Sequence, residues 1–303
     1  MDRSTTVVGL GELLWDEFPD ARRPGGAPAN VAFHAQQIGH RGLVASRVGC
    51  DKAGEGLVAH LADHALDTRY VQRDPLHPTG RVTVELAQAD HPQYVIHEEV
   101  AWDYLEPLPV LIELMSSAAA VAFGTLAQRS PVTRATIHRC LDSTAGECLR
   151  VYDVNLRQQW YQRRWIEDSL ARSTIVKLNE SEAGVLTELL ELEAVGELPD
   201  FGRRLIERYG VELVCVTRGA AGCLLVSGAE TVDIPGRQVT AVDAVGAGDA
   251  FTAALVSAQL RNWPLACAGR LANDVGGLVV ARQGAMPDLS AELPELIARH
   301  QPA

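Results

Sequence analysis

Short hydrophobic runs alternate along the chain with stretches of helical periodicity. Runs rich in Val, Leu and Ile predict strands at 5–14, 42–48, 119–123, 148–153, 173–178 and 212–217. Several are apolar at nearly every position, as expected of parallel strands covered on both faces. Between them, apolar residues at helical spacing predict helices at 29–38, 54–64, 131–141, 181–190 and 199–209. Strand–helix–strand alternation of this kind predicts an α/β fold with a mostly parallel sheet flanked by helices. Two stretches break the rhythm. Residues 80–86 alternate polar and apolar, 93–99 is again strand-like, and the turn-rich Gln88-Ala-Asp-His-Pro92 joins them. This predicts an antiparallel hairpin outside the parallel sheet, suited to a small lid. Residues 222–235 hold two short β-rich runs around Ser227-Gly228, and beyond Val245 the chain is mainly helical.

Composition narrows the class. The 303 residues are 47% hydrophobic and 22% charged, which allows a large core and excludes global disorder. With 27 basic and 39 acidic residues the net charge is −12, which argues against nucleic acid as the main partner. A small anion needs only a local positive field and is compatible with that charge. The longest stretch free of Asp, Glu, Lys and Arg, 24–40, is broken by Gly, Pro, Gln and His. The next, 114–128, is shorter than the ~20 residues of a spanning helix. The apolar run at 7–10 is too short for a signal-peptide core. A soluble, cytoplasmic protein without membrane association is expected. The six cysteines form no CxxC pair and are expected as reduced thiols in or near the core. His60 and His64 stand four apart, but Leu61 follows His60, so the zinc-protease pattern fails.

Several nucleotide signatures fail as well. The only lysines, Lys52 and Lys177, do not follow a glycine, so there is no Walker A loop. Gly9-Leu-Gly11 lacks the third glycine of a dinucleotide fingerprint. Asp200-Phe201-Gly202 matches a protein-kinase triplet without the His-Arg-Asp loop that should precede it, and falls at a helix start. The strongest local signal is Ala241-Val-Asp-Ala-Val-Gly-Ala-Gly-Asp249, which opens onto an uncharged, mostly apolar run to Leu260. A glycine turn leading into a helix presents unpaired N–H groups to an anion. Asp249 at its mouth suits either of two roles, a helix cap or a general base beside a phosphate acceptor. Four weaker signals lie elsewhere. Pro24-Gly-Gly-Ala-Pro-Ala-Asn30 leads into a helix, and Asp153-Val-Asn155-Leu-Arg157 ends a strand, where open α/β sheets place ligands. Asn179-Glu-Ser-Glu182 joins a strand to a helix, and Thr217-Arg-Gly219-Ala-Ala-Gly222 turns on glycines.

Taken together, these motifs resemble the PfkB carbohydrate kinases, the ribokinase-like sugar kinases. Gly25-Gly26-Ala-Pro-Ala-Asn30 is similar to the N-terminal signature of the family and Asp243-Ala-Val-Gly-Ala-Gly-Asp249 to the C-terminal one. Asn179 and Glu182 match its Asn-x-x-Glu motif, and Thr217, Gly219 and Gly222 its nucleotide loop. The correspondences run in family order over nearly the whole chain. The resemblance implies a single ribokinase-like three-layer α/β domain, with a β lid formed by about 12–18 and 80–99. It implies Asp249 as the base, with the Gly246–Asp249 turn and the amides of Ala247, Gly248 and Asp249 as an anion hole. Asp16, Gly25, Gly26, Asn30, Asn155 and Arg157 fall to the sugar. Lys177, Asn179, Thr217, Gly219, Gly222 and Asn273 fall to the nucleotide. Glu182, with Asn179, would serve magnesium through water, and Asp243, with carbonyls near 282–286, a monovalent cation such as potassium. The implied ligands are ATP, Mg2+ and a small sugar, and the implied assembly is a homodimer joined through the lids.

Within the family, Gly11-Glu-Leu-Leu-Trp-Asp16, Asp153-Val-Asn-Leu-Arg157 and Val176-Lys-Leu-Asn179 are most similar to fructokinases. The Asp-x-Asn-x-Arg run also occurs in 2-keto-3-deoxygluconate kinases. Some members have lost catalysis and act as binding proteins, but the Gly-Ala-Gly-Asp249 loop is intact here. Two further expectations concern single residues. Trp15 replaces an aliphatic residue of many relatives and is expected to reshape the pocket. Asp249, at a helix N-terminus, is expected to keep an ordinary, ionised carboxylate.

Overall fold

The computed structural model describes residues 5–18, 21–85, 93–192 and 196–302. Thirteen strands form two sheets among these residues: β1 Thr6–Leu10, β2 Leu14–Glu17, β3 Arg22–Gly25, β4 Arg41–Gly49, β5 Val71–Asp74, β6 Gly80–Glu85, β7 Gln93–Ile96, β8 Ala120–Gly124, β9 Leu149–Asp153, β10 Ile175–Asn179, β11 Leu213–Thr217, β12 Gly222–Ser227 and β13 Thr231–Pro235. The large sheet has the order β13-β12-β11-β10-β9-β8-β1-β4-β5. From β11 to β5 every neighbouring pair is parallel, and β12 and β13 add an antiparallel extension.

Near-continuous apolarity in the strands has a direct cause. In β8, Val121 and Phe123 pack into one hydrophobic cluster while Ala120 and Ala122 pack into another on the opposite face. The first cluster includes buried residues of helices Pro109–Ser117, Pro131–Asp142, Arg163–Leu170, Glu180–Leu189 and Leu198–Tyr209. The second includes those of Ala27–Gln37, Ala247–Leu260, Leu265–Val280 and Leu293–His300. Helices on both faces cover the central strands on both sides, so period-two alternation is erased there and the expected three layers result. Four of the six cysteines are buried. Among the described residues no helix is long and apolar enough to cross a membrane.

The expected strand over 5–14 is two strands. β1 ends at Leu10, and the amide of Gly11 makes a last bond to the Ala45 carbonyl. After Glu12 and Leu13 the chain enters the small sheet as β2, which has the order β3-β2-β6-β7. The break falls at Gly11-Glu12, between two apolar pairs of residues that are both buried, so the reading ran one strand across it. The expected hairpin forms as β6 and β7, antiparallel, while its turn lies outside the described residues. The sequence reading missed β3. Its Arg-Arg-Pro-Gly composition carries no strand signal, and such residues are tolerated because β3 is an edge strand. The polar edge strand β5 escaped for the same reason.

The expectation for Trp15 is overturned. Pleating of β2 turns Leu14 and Asp16 toward the cavity described below and Trp15 to the other side. Its Nε1 donates to the Ala53 carbonyl at 2.9 Å, and the Arg22 guanidinium stacks 4.4 Å from the ring. Trp15 thus fastens the small sheet to helix Lys52–Asp63.

Candidate active site

The C-terminal ends of the parallel strands meet the small sheet across a cavity of ≈ 550 Å³. Its wall includes Asp16, Gly25, Gly26, Asn30, Asn155, Arg157, Lys177, Gly246, Gly248 and Asp249 from the sequence-derived set. Glu12, Leu14, Phe18, Val82 and Ile96 close it from the side of the small sheet.

Each polar member has a local reason for its place. Helix Ala247–Leu260 begins at Gly246, whose φ of 79° is left-handed. A Cβ on Gly246 would also come within 2.6 Å of the Ala285 backbone, so conformation and space both require glycine. No side chain caps this helix, which removes the capping role for Asp249. The Asp249 carboxylate instead accepts a hydrogen bond from Asn30 Nδ2 at 2.7 Å. Asn30 is carried on helix Ala27–Gln37, reached through Gly26 at φ 122°, where a Cβ would meet the Glu12 carbonyl at 2.5 Å. The Pro24–Asn30 signal therefore folds so that one turn of backbone passes closely over another and delivers the amide to Asp249.

Register builds the second element. Lys177 of β10 lies beside Asp153 of β9 in the parallel ladder, so both side chains leave the sheet on one face. Lys177 Nζ donates to the two Asp153 oxygens at 2.9 and 3.2 Å, with the residues 8% and 5% exposed. A Cβ at Gly248 would stand 2.9 Å from Nζ, so the ammonium lies directly under the glycine turn. Burial alone would lower the Lys177 pKa, but the carboxylates of Asp153 and Asp249 outweigh it and raise it. Asp153 was not singled out as a site residue from sequence. Its place at the head of the Asp153–Arg157 motif was the available signal.

The acids of the cavity are strongly perturbed. Burial, then the Asp153 carboxylate, raise Asp249 to about 6, against the pull of Asn30, Lys177 and Arg157. The expectation of an ordinary Asp249 is therefore corrected: desolvation outweighs the helix terminus. Burial likewise raises Asp16 to about 6, with Arg157 and Arg23 opposing. Glu12, which the sequence reading missed, is raised to about 7 by burial. Such clustering of shifted carboxyls in one cleft marks a functional site.

The remaining predicted residues gather on an adjoining rim rather than in the cavity. Asn179 of β10 is beside Thr217 of β11. Gly219 and Gly222 form the following turn, Gly222 pairs with Pro235, and Asn273 Nδ2 donates to the Pro235 carbonyl at 3.4 Å. Asn179 and Glu182 make a reciprocal capping box: the Glu182 amide donates to Asn179 Oδ1 at 2.9 Å, and the Asn179 amide to Glu182 Oε2 at 2.8 Å. Glu182 Oε1 accepts from the Leu156 amide at 2.8 Å, which ties the Asp153–Arg157 turn to the rim. Asp243 accepts from the amides of Val245 and Gly284 and pairs with Arg23 at 3.2 Å. Ala247 opens the helix, its amide making a long 3.4 Å contact to the Ala244 carbonyl. Asp200-Phe201-Gly202 lies within helix Leu198–Tyr209 with Phe201 buried, away from this site.

A carboxylate and open helix amides at one glycine turn are the parts needed to move a phosphoryl group onto a hydroxyl. Comparison with known proteins agrees. Residues 12–292 match the pfkB family carbohydrate kinases. A Pyrococcus horikoshii protein named as a sugar kinase is 32% identical over 298 residues, covering 92% of this chain and 91% of that one. Fructokinase-1 of Oryza sativa is 29% identical over 321 residues, covering 97% of each. The crystal structure of the Pyrococcus protein in complex with ATP superposes with a TM-score of 0.83, at 28% identity, over 98% of this chain and 99% of that one. An ATP-bound fructokinase structure from Xylella fastidiosa shares the fold at TM-score 0.86 and 20% identity, over 98% and 99% of the two chains. The ribokinase-like architecture and the match along nearly the whole length lead to one conclusion: this chain belongs to the PfkB family of carbohydrate kinases.

Proposed function

We propose that this carbohydrate kinase transfers the γ-phosphoryl group of ATP to a primary hydroxyl of fructose, giving fructose 6-phosphate. The observation that carries the reading is the Gly246–Asp249 junction, where one turn offers a carboxylate to the acceptor cavity and uncapped helix amides beside it. Phosphoryl transfer asks chiefly for positioning and charge neutralisation. Asp249 takes the proton of the acceptor hydroxyl as its oxygen bonds to phosphorus. Asn30 orients Asp249, and the amides of Ala247, Gly248 and Asp249 receive the transferring phosphoryl oxygens. Lys177 adds a buried cation beneath that turn. Asp16, Asn155 and Arg157, with the close backbone of Gly25 and Gly26, hold the other sugar hydroxyls. The rim of Asn179, Thr217, Gly219, Gly222 and Asn273 cradles the nucleotide. The small sheet acts as a lid that keeps water from the transferring group.

Fructose rests on the relatives: the rice protein is named a fructokinase, as are the Salmonella typhimurium and Klebsiella pneumoniae proteins at 27% and 28% identity. One observation favours a second reading, a carboxylated sugar such as 2-keto-3-deoxygluconate. Arg157 lines the cavity, donates to the Leu156 carbonyl and acts electrostatically on the Glu12, Asp16 and Asp249 carboxyls. That guanidinium could meet a substrate carboxylate. A phosphorylation screen over fructose, 2-keto-3-deoxygluconate, ribose and adenosine, with the product position read by NMR, separates the readings. Fructose 6-phosphate as the dominant product is expected, and preference for any other acceptor removes the fructose assignment.

The donor set fits Mg2+ only as an ion carried by nucleotide phosphates. No group of three or more His, Cys, Asp or Glu among the described residues could hold a metal directly, and both Glu182 oxygens already accept amides. Glu182 and Asn179 would reach such an ion through water, and the ion would neutralise phosphate charge. Glu182→Gln is expected to raise the Mg2+ concentration needed for half-maximal rate and to lower turnover. An unchanged magnesium titration reduces Glu182 to the brace between rim and turn.

A further inference from the structure

Glu12 lies on the wall of the acceptor cavity together with Asp16 and Asp249, yet none of the steps above uses it. It is 4% exposed, more deeply buried than either of those acids, and its Oε2 is buried without a hydrogen-bond partner. A buried carboxyl oxygen left unpaired is costly, so its retention calls for a partner that arrives during function. Its surroundings keep it available. The amides of Glu12 itself and of Ala27, and the Arg157 guanidinium, favour the carboxylate, while burial and the charge of Asp249 oppose it. The balance sits near neutral pH, so the group can accept or donate a hydrogen bond. Its chain position adds to the case: Glu12 stands where β1 leaves the main sheet and β2 enters the small one, so its carboxyl lies at the seam between the two walls of the cavity.

We propose that Glu12 is a specificity-determining residue that hydrogen-bonds a sugar hydroxyl inside the acceptor cavity. The inference rests on the sugar-kinase reading of that cavity. The competing role is a brace that only steadies the Gly26–Ala27 turn, where helix Ala27–Gln37 has neither a capping side chain nor an acid in its first turn.

The two roles separate in a cycle of enzyme variants against sugar analogues. Unmodified enzyme, Glu12→Gln and Glu12→Asp are assayed with D-fructose and with fructose analogues lacking one hydroxyl each, and melting is measured on the same preparations. Glu12→Gln keeps the shape and Glu12→Asp keeps the charge but shortens the reach, so either carries the test if the other fails to fold. Glu12→Gln is expected to raise the sugar KM by about 10-fold or more, with ATP KM and melting temperature unchanged. For one analogue, the penalty seen with unmodified enzyme should vanish in the variant, which identifies the hydroxyl that Glu12 reads. Equal penalties for every analogue in all three enzymes, or sugar and ATP KM rising together with lower melting, overturn the proposal in favour of the brace. Failure of the fructose reading shows separately, as unmodified enzyme that does not phosphorylate fructose, and the cycle then runs on the acceptor found by the screen.

Discussion

Asp249→Asn lowers turnover by at least about 10²-fold, the lower end of what a positioned general base contributes, with sugar and ATP binding nearly kept. A sugar alcohol holds its proton tightly, so the proton must leave as the oxygen attacks phosphorus. Asparagine fills the same space beside Asn30 but cannot take it. The pH dependence follows from the raised pKa. Below about 6 Asp249 is protonated in the free enzyme and cannot act as base, so kcat/KM should fall on the acid side with a midpoint near 6, well above the ordinary aspartate range. Stability runs in the opposite direction. A carboxyl whose folded pKa lies above its unfolded value of 3.8 favours folding fully below about 4, and that contribution is lost as pH rises through about 6. The variant has no charge to bury at pH 7, so it should melt no lower than the parent. Turnover, melting and a pH–rate profile on the same preparation check all three. An active variant, or a loss of turnover that tracks unfolding, removes Asp249 from the chemistry.

Lys177→Met destabilises the fold by about 3–5 kcal/mol, the usual cost of stranding one charge of a buried pair. Lys177 and Asp153 are both almost fully buried, and the Asp249 carboxylate also acts on Lys177. Without the ammonium, Asp153 and Asp249 face each other, so the acid limb of kcat/KM should also move above 6. Lys177→Met combined with Asp153→Leu removes both charges and should recover much of the stability, because a buried pair is often replaceable by apolar groups of similar size. Denaturant melts of the single and double variants measure this directly. Equal instability of the two would mean that Lys177 holds the fold by packing rather than by its charge.

Local patterns carried most of the architecture. Five of the six hydrophobic runs and all five amphipathic stretches became elements within a few residues of their expected bounds, because burial on one or two faces is written into the residues themselves. Elements without such a mark were missed: β3 and β5 are polar edges, and the break between β1 and β2 falls at Gly11-Glu12, which the reading ran through as one strand. Glycine turns and the strand-to-helix junction at Asn179–Glu182 were likewise legible, since their backbone needs only neighbours in sequence. The cavity was not legible as a physical object. Asn30 meets Asp249 across 219 residues, Lys177 meets Asp153 through strand register, and Trp15 turns outward while Asp16 turns inward by the pleat of one short strand. Glu12 stood in the sequence only as the acid after a short apolar run, within the Gly11–Asp16 motif, until folding removed its water. Side-chain chemistry and short-range geometry belong to the sequence. Which charges share a low-dielectric space, and so what their pKa values become, depends on long-range closure, and only the tertiary structure decides it.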